Sequence, residues 1–117
     1  MTKEYIEDVQ IGDTLYVVTP SRKPVIKVKE CKVYDVQDSV NYLYIFTRTN
    51  HKLNLVMSFD KMQINDNLVN GAKTYYKCDG LYQRAFYEKK HANKYAVELI
   101  DAKIAELEKI KKDLENE

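Results

Sequence analysis

The chain has 117 residues, a formal net charge of +1, 44% hydrophobic residues and 32% charged ones. That hydrophobic share excludes a disordered chain, and the length fits one domain with a modest core. The balanced charge excludes a global field drawing the chain to nucleic acid or membrane, so binding of that kind must come from a local patch.

Taken in order, residues 4–18 lead into the first strand. Gly12-Asp13 supplies turn chemistry, and the β-branched and aromatic run 15–18 follows it. Residues 19–24 form a polar loop held between Pro20 and Pro24. The longest strand expected is 25–36. There Ile26 and Val28 share one parity and Cys31 and Val33 the other, a phase change that predicts a bulge or sharp bend near Lys29-Glu30. A turn at Asp38-Ser39 precedes an aromatic strand over 40–48, with Tyr42, Tyr44 and Phe46 on one face and Leu43, Ile45 and Thr47 on the other. Both faces are apolar enough to expect a strand that is central or covered on both sides.

Asn50-His51 reads as a tight hairpin turn, with 53–57 pairing back. A helical turn over 58–62 and a short strand at Gln63-Ile64 are expected next. Residues 65–73, with Asn65, Asp66, Asn67, Asn70 and Gly71, form the clearest loop and an internal boundary. Runs 74–78 and 81–87 flank Asp79-Gly80, a strong hairpin signal.

The last element is a helix over 88–115. Ala92, Tyr95, Ala96, Leu99, Ile100, Ile104, Leu107, Ile110 and Leu114 recur at steps of three and four, uninterrupted by Gly or Pro. No Ser, Thr, Asp or Asn directly precedes Glu88, so its N-cap is weak. Such a helix is roughly 42 Å long, whereas a compact ~90-residue body has a radius of gyration near 12 Å. The expectation is therefore a division into residues 1–87, a β-rich body ending in a hairpin, and residues 88–117, a helix whose first half packs on that body. Its second half projects, and Ile100, Ile104, Leu107, Ile110 and Leu114 await a partner helix, with a two-fold homodimer as the default.

No catalytic or metal constellation emerges. Cys31, Cys78, His51 and His91 lack the spacing of a zinc site. There is no nucleophile elbow, and the three glycines are too scattered to cradle a phosphate. A non-enzyme without cofactor or metal is expected. No apolar run approaches a membrane span and the first residues lack a signal peptide's apolar core, so no membrane association and a cytoplasmic location with reduced thiols are expected.

Two basic stretches stand out. One holds Arg22, Lys23, Lys27, Lys29 and Lys32; the other holds Lys73, Lys77, Arg84, Lys89, Lys90 and Lys94. Tyr75, Tyr76, Tyr82 and Tyr87 interleave with the second. Lysines for phosphate contact beside aromatics for stacking are the ingredients of single-strand nucleic-acid binding. A solvated lysine-rich face is the preferred reading, since AT-rich coding by itself favours Lys and Tyr. Tyr75, Tyr76, Tyr82, Arg84 and Tyr87 are the candidate protein-contact residues, because Tyr is enriched at interfaces.

The run 11–18, Ile-Gly-Asp-Thr-Leu-Tyr-Val-Val, a bent basic strand, and Tyr-Leu-Tyr-Ile-Phe at 42–46 together resemble the opening of an SH3-like barrel. The run 85–96, Ala-Phe-Tyr-Glu-Lys-Lys-His-Ala-Asn-Lys-Tyr-Ala, leading into a charged helix, is similar to the tails of small phage and mobile-element proteins of low-GC bacteria. The resemblance implies an accessory factor in a bacterial host that binds a host protein, a defence component or nucleic acid. The fold expected is α+β: a small curled antiparallel sheet, a β-hairpin and a long C-terminal amphipathic helix. The function expected is non-catalytic protein binding that occludes or bridges a macromolecule. Nucleic-acid binding through 22–32 and 73–94 is the alternative, and a small-molecule-binding dimer the second.

Overall fold

A computed structural model of the chain describes residues 3–22, 26–49, 54–63 and 70–117. It is an α+β fold with six strands and one long helix: β1 (Thr14–Val18), β2 (Val28–Asp38), β3 (Tyr42–Thr49), β4 (Asn54–Asp60), β5 (Ala72–Cys78), β6 (Leu81–Phe86) and α1 (Lys89–Glu115). Short 3-10 turns occupy Ile6–Asp8 and Lys61–Gln63. All strand pairs are antiparallel, in the order β4-β3-β2-β1-β6-β5. The edge strands β4 and β5 approach each other, so the sheet curls into a nearly closed barrel. Near-closure hides sheet edges that would otherwise pair with other chains.

The barrel interior follows from strand alternation. Leu15, Val17, Cys31, Val33, Leu43, Ile45, Met57, Phe59 and Ala85 fill it, and Ile6 and Val9 of the N-terminal segment join them. Thr47 is the polar member at this level; its hydroxyl is satisfied by donating to the Leu55 carbonyl at 3.0 Å. The expected split of β3 holds: Leu43, Ile45 and Thr47 are buried, while Tyr42, Tyr44 and Phe46 are half-buried on the outer face.

The outer face of β1 and β6 is covered by α1. Val18 and Phe86 pack against Ala92, Tyr95, Ala96 and Leu99, with Tyr16, Ile26 and Val28 at the margin. The Phe86 and Tyr95 rings lie 5.9 Å apart. Burying Tyr95 and Leu99 contributes about 1.5–3 kcal/mol each before the entropy cost of ordering them. Glu88 is the N-cap of α1 and makes no side-chain cap hydrogen bond. The start of the helix is therefore fixed by packing rather than by a cap.

Several expectations need correction. Lys29 and Glu30 carry no bulge, because β1 and β2 pair without a break from Val18–Val28 to Thr14–Lys32. The two parities there belong to two buried faces: Val28 faces α1, whereas Cys31 and Val33 face the barrel interior. The register shift falls later, between Val33 and Asp35. Residues 58–60 continue β4 instead of forming a helical turn, which is confined to Lys61–Gln63, so Gln63 is not strand. Lys73 belongs to β5, not to the preceding loop. The Asn50-His51 turn, Ile64 and loop residues 65–69 lie outside the described residues, as does Lys23.

Gly71 has a φ of +83°, and a Cβ there would overlap the Phe86 ring, which is itself buried. Gly80 also has a positive φ, but it faces open space. Gly71→Ala is thus expected to combine backbone strain with overpacking and cost ~2–5 kcal/mol. Gly80→Ala should cost only ~1–2 kcal/mol. Equal losses in urea unfolding would contradict the close approach of Phe86 to residue 71.

Candidate interaction surface

The β5–β6 hairpin carries the most exposed aromatic groups of the barrel. Asp79 and Gly80 have φ values of 52° and 79°, the two successive left-handed residues of a type I′ turn. Pairing is regular at Cys78–Leu81 and Lys77–Tyr82, then shifts before Lys73–Arg84. The irregularity falls at 74–76. Thr74 is buried there, and Tyr75 and Tyr76 point outward with 67% and 50% exposure. A chain of polar side chains fixes this bulge from beneath. The Thr74 hydroxyl donates to Gln83 Oε1 at 3.0 Å, Gln83 Nε2 donates to Thr19 Oγ1 at 2.8 Å, and the Tyr76 N–H donates to Thr74 Oγ1 at 3.2 Å. Satisfied networks of this kind hold one geometry, because breaking a link strands a buried polar group.

Barrel curling brings other strands alongside. Tyr75 meets Tyr42 edge-on, with ring centroids 6.1 Å apart, and Tyr42 lies 6.1 Å from Tyr44. A cleft of about 390 Å³ beside Tyr75 is lined by Asp60, Tyr75, Lys77 and Tyr82. Lys77 and Lys73 both stand over the Tyr82 ring, at 4.5 and 5.3 Å from its centroid. The result is a strip of tyrosines crossing from β3 to β6, edged by two lysines and one carboxylate. Tyr42 and Tyr44, which the sequence marks as strand packing, belong to it. Nothing in the local sequence marks them, since their neighbourhood arises from closure of the barrel.

Other expected contact residues have structural duties. Arg84 places its guanidinium 4.8 Å from the Tyr95 ring centroid and donates to the Asn70 carbonyl. Its Nε is buried and has no hydrogen-bond partner among the described residues. Tyr95 donates its hydroxyl to the Tyr82 carbonyl. Tyr87 is half-buried against the barrel core and donates to the Tyr5 carbonyl at 3.0 Å, tying the N-terminal segment to the start of α1. It is a clasp and not part of the strip.

Beyond Arg22, the described lysines of the first stretch do not merge with the second. Lys29 and Lys32 lie on β2, Lys27 just before it, and Lys73 and Lys77 on β5; β1 and β6 intervene, with α1 laid over them. Lys29 and Lys32 also have opposite parity. Arg22 pairs with Asp79 at 3.5 Å. Lys89, Lys90 and Lys94 are exposed on the first turns of α1. A further cleft of about 340 Å³ between β6 and α1 is lined by Arg84, His91, Lys94 and Glu98 among others. His91 Nδ1 lies 3.0 Å from Glu88.

Among the described residues, no group of three or more His, Cys, Asp or Glu is placed to hold a metal ion. Cys31 is buried in the core, and burial pushes its thiol pKa up, the opposite of an activated nucleophile. Among the same residues, no helix is long and apolar enough to cross a membrane. The chain matches no family model, no curated protein and no solved structure.

Burial raises the pKa of the Tyr87 hydroxyl, with Asp13 and Asp8 adding to the effect. Burial likewise raises that of Tyr95, against the opposing pull of Arg84. Unfolded tyrosines ionise near pH 10. Above that pH the folded state retains protons that the unfolded state has lost, so stability is full below about pH 10 and falls as pH rises further. Tyr87→Phe should cost about 1 kcal/mol at neutral pH through the lost bond to Tyr5. It should also make the alkaline decline shallower. Urea unfolding between pH 7 and 11 measures both, and an unchanged alkaline slope in the variant would contradict the role of Tyr87.

Proposed function

We propose that the protein is a non-catalytic binding module that engages a protein partner through the tyrosine strip. Tyr75 and Tyr76 are its centre, and Tyr42, Tyr44, Tyr82, Lys77 and Asp60 surround them. The observation that carries this reading is the outward bulge of β5, which exposes two adjacent tyrosines above a buried polar chain. Tyrosine offers large contact area at low conformational cost, because only two side-chain torsions must be fixed. A rigid base beneath it reduces the ordering cost further. Mixed charge at the margin, Lys77 opposite Asp60 across the cleft, suits a polar rim around an aromatic centre.

Single-stranded nucleic acid is the second reading, supported by Lys73 and Lys77 beside exposed rings. It ranks lower because Lys27, Lys29 and Lys32 lie across two strands and a helix from β5, so these described lysines form no continuous track with Lys73 and Lys77. A small-molecule role ranks lower again. Ligand pockets are mostly apolar, whereas the cleft of about 410 Å³ near the β2–β3 turn is lined by Glu7, Asp38, Leu43 and Lys61.

Affinity capture from nuclease-treated lysate tests the reading, with the wild-type chain compared to Tyr75→Ala/Tyr76→Ala. Both side chains are exposed, so the double variant should fold normally. Loss of two central aromatic contacts should weaken capture by tenfold or more. Capture that nuclease abolishes, with salt-sensitive retention on single-stranded DNA, would replace the protein reading by the nucleic-acid one. Equal nuclease-resistant capture by both chains would remove the tyrosine strip as the contact surface.

A further inference from the structure

The apolar row that α1 exposes does not start on the face that covers the barrel. Ala92, Tyr95, Ala96 and Leu99 are buried on β1 and β6. Val97, Ile100, Ile104, Leu107, Ile110 and Leu114 are exposed, by 40% at Ile100 to 64% at Leu114. At 100° per residue Val97, Ile100, Ile104 and Leu107 lie roughly a quarter turn around the helix from the first set, while Ile110 and Leu114 stand about five turns beyond Ala92 and Ala96, in line with them. The exposed row therefore begins beside the barrel-facing stripe while α1 is still seated on the barrel, and drifts into line with that stripe only beyond the barrel.

That row has a heptad register. With Val97 at position a, Val97, Ile104 and Lys111 occupy a, and Ile100, Leu107 and Leu114 occupy d. Around a straight helix the row drifts backward by ~20° per heptad, the drift that a left-handed supercoil removes. β-Branched Ile104 at a with Leu107 and Leu114 at d favours two strands, a preference that Ile100 at d does not share, and the single Lys111 at a restricts register and oligomer size. The lysine stem of Lys111 can cover the seam while its ammonium reaches water.

The flanking charges select the occupant and its direction. Position e holds Asp101, Glu108 and Glu115; position g holds Ala96, Lys103 and Ile110. In a parallel pair of identical helices, g of one chain faces e of the next heptad in the other, so Lys103 meets Glu108 twice across the seam. In an antiparallel pair e faces e, and three carboxylates on each chain confront one another. Within one helix Lys103, itself half-buried, approaches Glu106 at 3.9 Å, a loose pair with a weak hold on its ammonium.

We propose that a second copy of this chain covers the row, forming a parallel two-stranded coiled coil over residues 97–115. Parallel pairing places both barrels at the same end of the coil, where the two tyrosine strips can address one bivalent partner. The inference rests on the helix alone and is independent of what the strips bind.

Sedimentation equilibrium of the full chain tests it. The expected result is a concentration-dependent shift from the 13.8 kDa chain mass to twice that value. Two and a half heptads make a weak coil, so the shift should be gradual. A monomer mass at every concentration up to ~1 mM would overturn the proposal. Lys103→Glu and Glu108→Lys should each weaken self-association by about tenfold, since an attraction becomes a repulsion at two sites. An equimolar mixture of the two variants should pair more tightly than either alone. Indifference of association to all three preparations would overturn the charge assignment. Orientation is read from Glu117→Cys in a Cys78→Ser background under mild oxidation. Rapid covalent dimers are expected from a parallel coil. A dimer that forms but does not cross-link there would be antiparallel, with its ends roughly 30 Å apart, and would overturn the proposal.

Discussion

Burial of both faces of β1 and β6 is the constraint on which the molecule depends. Leu15, Val17 and Ala85 point into the barrel, while Val18 and Phe86 point out and would be exposed without α1. The helix supplies small residues, Ala92 and Ala96, where it must come close, and large ones, Tyr95 and Leu99, where it fills space. Gly71 leaves room for the Phe86 ring from the other side. Once that contact is made the direction of α1 is set. Its remaining turns leave the barrel, and the molecule extends to 54 Å along one axis against 31 and 26 Å along the others. Length and anchoring together make the exposed apolar row unavoidable.

The same β5–β6 region links the fold to its candidate surface. Gln83 and Thr74 form a polar chain with Thr19 under the bulge, and Tyr82 accepts a hydrogen bond from Tyr95 of α1 through its backbone carbonyl. Helix docking and presentation of Tyr75 and Tyr76 thus share a support. The Tyr87 clasp secures the N-terminal segment to the same corner through Tyr5. A binding surface built on a closed barrel can stay rigid without a ligand, which lowers the entropy cost of association.

Local patterns in the sequence made much of this legible. Alternation in 42–47 separated the inner from the outer face of β3, Asp79-Gly80 marked the hairpin, and the three-four period of 92–114 marked the helix. The period-2 phase change at 26–33 was visible but ambiguous. A bent strand and a strand buried on both faces produce the same pattern, and only the position of α1 distinguishes them. The tyrosine strip was half legible. Tyr75, Tyr76 and Tyr82 lie on one hairpin, but Tyr42 and Tyr44 reach it through closure between β4 and β5, a long-range event with no local signal. Tyr87 and Arg84 look like surface residues in sequence because their partners, Tyr5 and Asn70, are main-chain carbonyls that no side-chain pattern reveals.

Amide hydrogen exchange along α1, followed on the full chain at low and high protein concentration, tests the division of the helix most directly. Packing on the barrel should protect amides of residues 93–100 equally at both concentrations. Amides of residues 104–115 should exchange rapidly in dilute solution, because a projecting helix of that length is marginal in water. Their protection should rise with concentration as a second copy covers Ile104, Leu107 and Leu114. Uniform protection along the whole helix, unchanged by concentration, would show a single stably buried element and contradict the two-part helix.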